Sequence, residues 1–507
     1  MRGMIPPAPP TDWNALLATA QQRIAAGAFR DALDTLDPAD LDPAAPDAAI
    51  RLRADLLRHL GRHAAAVPLL ERLIAARPQS AVAEHNLAAA LGDAGDVFGA
   101  AHAAQRAIDK GGVAPETWLV LGRALQGQGR LEEAEAALRR SIELRPVQIE
   151  ARRDLAQLIW MRTGDRTAAM APFEYEAALT PPMIAIGAAA MVDMAGEQAA
   201  YDWLSPRLDR SAGFELELAA ARTAQGFDSA LSLRHALTAA DRASNDPSVR
   251  IAVATALMAC GRVEEALPIL DACLATNPLD QYAVALRYTA WRLIADSRAL
   301  RPADYAALVQ GHDLTPVGEQ SPAWIADAGS ALRRLHAFHT HPFGQSVRSG
   351  VQAPIDPRWA GEPAIDAVFD ALEAPVDAYV AAMAGRTDPM SVRASGSGWE
   401  MTGAWSVRLR AGGHHTDHVH PRGWISSALH IVTPEGEEAN PRAGWLRFGA
   451  VDLGPGLRLE AEHWVKPTPG RVVLFPSWMW HGTEPFTGDG ERLTIAFDVQ
   501  PGQGLRA

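Results

Sequence analysis

A multidomain α + β fold is predicted, an N-terminal α-solenoid followed by a C-terminal β domain with flanking helices. Three observations carry it. Gly27, Gly61, Gly95 and Gly129 recur 34 residues apart in an Ala- and Leu-rich stretch. From Gly398 onward the chain turns to short alternating segments between Gly/Pro turns, the pattern of a sandwich or barrel. Within that second part stand His418, His420, His481 and Arg492, two histidines one residue apart, a distant third, and a late arginine.

Bulk properties set the outer bounds. A chain of 507 residues has length for two or more domains with real cores. A hydrophobic share of 48% and a charged share of 21% are ordinary for a globular protein. The net charge of -13 argues against a nucleic-acid partner, since no basic excess is present to neutralise phosphates. Cys260 and Cys273 lack CxxC partners and read as helix-packing thiols, not a disulfide framework. The opening MRGMIPPAPPTDW has no apolar core, and no run of about eighteen apolar residues occurs. A cytoplasmic protein with no membrane partner is expected, with residues 1–11 a disordered tail.

The glycine series runs on with small slips through Gly164, Gly196, Gly226 and Gly261. A 34-residue period belongs to a helix–turn–helix unit whose inter-helix turn takes glycine. The fullest unit, WLVLGRALQGQGRLEEAEAALRRSIELRP, carries Trp118, Leu121, Gly122, Gly129, Ala134 and Pro146. Small residues let its helices approach, and the proline ends the second helix. CGRVEEALPILDACLATNP repeats the unit around Gly261. This region resembles tetratricopeptide-repeat (TPR) proteins, most clearly at Gly61, Gly129 and Gly261. The resemblance implies a superhelix whose concave groove takes an extended peptide or a partner protein. The Ala/Leu stripes and Trp118 read as core packing.

The repeat phase is lost after about residue 296, where Pro302, Pro316 and Pro322 punctuate the chain. The array is therefore assigned to 12–298 and the second domain to 299–507. Helices are expected over Ala323–Phe338 and from Ala364 to Ala384. Between them HTHPFGQSVRSGVQAP holds a second His-x-His pair, His339 and His341, read as a loop or substrate-facing segment. Strands are expected over 405–410, 425–433, 444–451, 471–475 and 492–499. In the last of these Leu493, Ile495, Phe497 and Val499 share one face, and Arg492 and Thr494 the other. An arginine on the inner face of a small barrel needs an anion, from an internal acid or from a ligand.

Imidazole suits iron and zinc, and an arginine beside such a site suits a co-substrate with a distal carboxylate. The combination of HVHPRGWISS, FPSWMWHG and ERLTIAFDV resembles the 2-oxoglutarate–Fe(II) oxygenases of the double-stranded β-helix (jelly-roll) type. HPFGQSVRSGVQAP resembles the segment preceding their core, so the likeness spans roughly 310–500. By position, the resemblance implies His418, His420 and His481 as metal ligands. It implies Arg492, helped by Thr494, as the holder of the 5-carboxylate of 2-oxoglutarate, and His430 as a contact to the same molecule. Fe(II), 2-oxoglutarate and O₂ are the implied cofactor set.

His420 stands where the better-known branch has Asp or Glu. Three arrangements follow: a three-histidine site, a two-histidine site with His420 outside it, or a shifted register in which His415-Thr416-Asp417 supplies an HxD pair. Asp417 otherwise orients an imidazole or lies at the surface. Trp424, Trp478, Trp480 and Phe475 flank the ligands as pocket walls or core. The implied activity is a dioxygenase hydroxylating a peptide or protein recruited by the array. The alternative is an interaction scaffold carrying an inactive or sensory barrel. A zinc hydrolase would use three histidines and leave Arg492 without a role.

Overall fold

The computed structural model describes residues 11–502 except 41, 176–178, 211–212, 301–303, 387, 389–390, 394–397 and 435–439. The expected tail thus lies, apart from Thr11, outside the described residues. The fold is multidomain α + β, and the chain divides into two compact units, Met1–Arg145 and Pro146–Ala507.

The first unit is built of helix pairs: Trp13–Ala25 with Phe29–Thr35, Asp47–His59 with His63–Ala76, Ala81–Ala94 with Val97–Asp109, and Pro115–Gly127 with Leu131–Leu144. Each pair turns at one glycine of the 34-residue series. Gly27, Gly61, Gly95 and Gly129 have φ of 75, 77, 94 and 75°, a conformation that penalises any side chain. Gly122 serves differently, because a Cβ there would stand 2.8 Å from Leu138 Cγ. Its role is close helix approach. Trp118 is only half-buried, so it is less a core residue than its motif position suggests.

The second unit continues with helices, among them Ile149–Thr163, Pro181–Ala195, Glu215–Gln225, Pro247–Ala259, Val263–Thr276 and Gln281–Leu293. Gly164, Gly196 and Gly261 again turn with positive φ. Gly226 does not, having φ of -71°. A Cβ there would lie 2.4 Å from Glu197 Cγ, so that side chain would have to move. Cys273 is buried as expected, while Cys260 is half-buried, its Sγ donating to the Ser229 carbonyl at 3.3 Å.

Eleven strands are described: β1 Gln310–Asp313, β2 Val347–Gln352, β3 Trp399–His415, β4 Ile425–Val432, β5 Leu446–Phe448, β6 Val451–Asp452, β7 Arg458–Leu459, β8 His463–Val465, β9 Arg471–Pro476, β10 His481–Thr483 and β11 Arg492–Pro501. Six form an antiparallel sheet in the order β1-β9-β4-β11-β3-β2, and three form a smaller one, β10-β5-β8. Phe448 and Phe475 join the two through an edge-on contact with centroids 5.0 Å apart. The larger sheet carries helices Trp324–Leu335, Pro363–Asp370 and Glu373–Met383, whose Leu332, Val368 and Val376 share a core with Leu493, Ile495, Phe497 and Val499. The helix expected from Ala364 to Ala384 is two helices. Pro375 has no N–H for the Ala371 carbonyl, so the first ends and the second starts around it.

Helices and strands of this unit share cores. Val419, Val451, Leu457 and Trp480 pack among Val253, Leu257 and Leu286 of the helical part. Trp480 donates its indole N–H to Thr289 Oγ1 at 3.0 Å, and Arg292 donates to the carbonyl oxygens of Gly449 and Glu460. The turn between β6 and β7 sits against two helix ends. A Cβ on Gly454 or on Gly456 would lie 1.9 Å from the carbonyl oxygen of Gln225 or Ala259 respectively. Glycine is required at both by backbone contact.

Candidate metal centre

Two short backbone elements set the three histidines against one another. His418 leaves β3 and forms a lone β-bridge with His481, the first residue of β10, each N–H donating to the other's carbonyl at 3.0 Å. His420 is tied at its own N–H to the Ser477 carbonyl at 2.9 Å. The rings stand 4.2 Å (His418–His481), 5.1 Å (His418–His420) and 5.1 Å (His420–His481) apart between centroids. Each offers one ring nitrogen to a common point, the three lying within 4.8 Å of one another.

The opposite ring nitrogens decide the chemistry of those facing the centre. His418 Nδ1 donates to the Thr416 carbonyl at 2.8 Å, and His481 Nδ1 to the Met479 carbonyl at 2.9 Å. His420 Nδ1 donates to Asp498, 2.8 and 2.9 Å from its two oxygens. With Nδ1–H so engaged, each Nε2 keeps its lone pair, which is the state a metal ligand needs. Burial, reinforced by the neighbouring imidazoles, holds His418 down to about 3 and His481 well below the ordinary histidine range. All these features fit a divalent cation bound by three neutral imidazoles.

Asp498 is the site residue the sequence analysis missed. It follows Arg492, Thr494 and Ala496 on the inner face of β11, and all four line one cavity of about 770 Å³. The period-2 reading that put Arg492 and Thr494 on this face extends to Asp498 and was the available signal. The expected partner of the shifted register is elsewhere. Asp417 is ion-paired with Arg447 at 2.7 Å, its side chain 5% exposed, and does not join the cluster. His415 lines the cavity beside His418, its Nδ1 2.9 Å from Ser346 Oγ.

Arg492 is 2% exposed, and its Nε has no hydrogen-bond partner among the described residues. Burial pulls its guanidinium down to about 10. A buried cation with no ion pair among the described residues, on the wall of a cavity that also holds three convergent imidazoles, fits an anionic ligand. Thr494 lines the same cavity. His430 is fully buried opposite Thr494 on β4, but it does not line the cavity, and neither ring nitrogen has a partner among the described residues. Trp424, Trp478, Trp480 and Phe475 are buried and stay off the cavity wall. The wall aromatic is Trp405, stacked on His420 at 5.7 Å.

The cavity wall is partly helical. Asp193, from helix Pro181–Ala195, lines it together with Gly344, Gln345, Ser346 and Arg348. That loop is anchored on the helices: Thr340 Oγ1 donates to the Trp160 carbonyl at 3.0 Å and Gly344 N to Asp193 at 2.6 Å. His339 is exposed, and His341 is buried edge-on to Trp160. Neither lines the cavity; the residues of this segment that do are those after Phe343. A second cavity of about 560 Å³ lies among Arg222, Ser248, Thr255, Asp280 and Tyr282. Pro421, next to His420, is part of both walls.

Residues 403–498 match the family described as "Putative 2OG-Fe(II) oxygenase", and residues 85–149 and 119–184 match the tetratricopeptide repeat. Solved structures similar to the chain include MamA from Desulfovibrio magneticus RS-1, at 20% identity and TM-score 0.30, covering 32% of this chain and 92% of that one. A tetratricopeptide repeat protein from Parabacteroides merdae covers 48% and 98% at 14% identity and TM-score 0.34. The type IV pilus biogenesis factor PilW covers 41% and 98% at 20% identity and TM-score 0.33. No curated protein matches the chain.

Proposed function

We propose, for a chain that joins tetratricopeptide repeats to a 2-oxoglutarate–Fe(II) oxygenase domain, that it hydroxylates a peptide or protein side chain. The observation that carries this is the meeting, in one cavity, of three convergent imidazoles with the buried Arg492, whose Nε has no hydrogen-bond partner among the described residues. A zinc hydrolase needs the first and not the second.

His418, His420 and His481 would hold Fe(II), and Arg492 with Thr494 the far carboxylate of 2-oxoglutarate. Bound together with O₂, that set supplies oxidative decarboxylation coupled to hydroxylation of a C–H bond. The chain's own work is orientation and exclusion. The Thr416 and Met479 carbonyls and Asp498 keep each Nδ1 protonated and each Nε2 free. The β-barrel core around Phe448 and Phe475 keeps water from the far side of the histidines.

Recruitment through the helices is supported by Pro421. A chain lying among Arg222, Thr255 and Tyr282 meets the wall of the catalytic cavity without leaving contact with the protein. Anchoring on one side raises the local concentration of the reacting residue on the other.

An anaerobic titration of the apoprotein with Fe(II) and 2-oxoglutarate tests the reading. Wild type should develop the visible metal-to-ligand charge-transfer band, His481→Ala should lack it, and Arg492→Ala should need far more 2-oxoglutarate. No band in wild type, with Fe(II) held no better than by His481→Ala, would sink the oxygenase assignment.

A further inference from the structure

We propose that Asp498 is a positioning residue that gives this centre, through His420, the negative charge that three neutral imidazoles lack. The inference rests on the reading that the three histidines bind a divalent metal. Among the three, only His420 donates to a carboxylate; His418 and His481 donate to backbone carbonyls. Both carboxylate oxygens lie within hydrogen-bond distance of His420 Nδ1, at 2.8 and 2.9 Å. The acid is itself held, since Ser426 Oγ donates to Asp498 Oδ1 at 2.7 Å and lies 2.8 Å from Ser477 Oγ.

The backbone is shaped for this contact. β11 keeps its alternation through Asp498, which puts it on the cavity face with Arg492, Thr494 and Ala496 and directly across from Ser426 on β4. The loop carrying His420 closes over the serine pair at Gly423, where a Cβ would stand 2.2 Å from Ser477 Oγ and 3.5 Å from Asp498 Cγ. Trp405 stacks on the other side of the His420 ring. The imidazole is thus fixed in rotation and tautomer by an anion on one end, leaving Nε2 3.2 Å from that of His418.

A carboxylate bonded to a ligating imidazole raises its basicity and is worth about 10- to 100-fold in metal affinity. The common iron face has a carboxylate on the metal itself. Here the charge stands one imidazole further out, so His420 is no simple loss of an acid. The anion has moved from the metal to its ligand.

Metal affinity of the apoprotein, read with Co(II) and its visible spectrum, tests this without turnover. Asp498→Ala should bind Co(II) about 10- to 100-fold more weakly and shift the spectrum. Asp498→Asn, which keeps an acceptor but not the charge, should fall between it and wild type. In a His420→Ala background Asp498→Ala should add nothing, because the effect runs through that ring. Ser426→Ala, a milder change, should weaken Co(II) in the same direction and serves if Asp498→Ala fails to fold. A folded Asp498→Ala with wild-type affinity and spectrum would overturn the proposal, as would an equal loss in the His420→Ala background. Wild type that binds Co(II) no better than His481→Ala would instead overturn the underlying metal reading.

Discussion

His418 and His481 exchange both of their backbone hydrogen bonds at 3.0 Å although they lie on separate elements of the barrel. This bridge makes the mutual approach of the two imidazoles a property of the main chain. Side-chain rotation is removed by the Nδ1 contacts to Thr416 and Met479, so the pair is organised by the chain alone.

Arg492 is a buried cation whose Nε has no partner among the described residues, which makes it costly to the fold and suited to an anion. Arg492→Met should leave the apoprotein as stable or raise it by about 1–4 kcal/mol. On the proposed function, 2-oxoglutarate should stabilise wild type thermally and this variant should lose that effect, with Kd raised roughly a hundredfold. Thermal melts with and without the ligand check both parts. A destabilised apo variant would show that Arg492 is structural.

Asp417 and Arg447 form an ion pair away from the three nitrogens, Arg447 also reaching Glu484 at 3.4 Å. Asp417→Ala should therefore cost about 1–3 kcal/mol of stability and leave the Co(II) spectrum of wild type. Urea denaturation and a metal titration separate the two. Loss of the spectrum in a folded variant would restore the His415/Asp417 register.

Gly456 faces the Ala259 carbonyl with no room for a Cβ. Gly456→Ala must push the β6–β7 turn off the helix end, at a cost of about 1–3 kcal/mol. The core shared by Trp480 and the helices should loosen with it. Hydrogen exchange should rise in 247–259 and 451–459 together; a rise in the turn alone would mean that the two do not depend on each other.

His336 and His341 are both held down to about 4, chiefly by burial and then by Arg408 near the first and Arg348 near the second. Glu491 opposes the effect at His336 only in part. The unfolded chain takes up these protons near pH 6.5 and the folded chain only near pH 4, so stability is full above about pH 6.5 and falls between the two. Each group contributes about 1.4 kcal/mol per pH unit in that window. A His336→Asn, His341→Gln double variant should show a flatter acid limb in denaturation at pH 7 and pH 5. An unchanged limb would place the acid sensitivity elsewhere.

The sequence by itself determined what repeats along the chain or alternates along one strand. The 34-residue glycine period marks turns because positive φ is a local backbone demand, met at Gly27, Gly61, Gly95 and Gly129. Period-2 alternation put Arg492 and Thr494 on the inner face of β11, where they line the cavity. Gly226 broke the pattern, with φ of -71° and Glu197 of another helix against it. What only the tertiary structure decided were pairings between distant segments. Asp498 meets His420 because the loop carrying His420, tied to the Ser477 carbonyl, reaches the inner face of β11, and Asp417 turns away because Arg447 lies across on β5. Helices from Pro146 onward share a core with the barrel because glycine turns and Trp480 fit against them. Spacing along a chain constrains dihedral angles and faces; which acid reaches which imidazole depends on how sheets and helices stack.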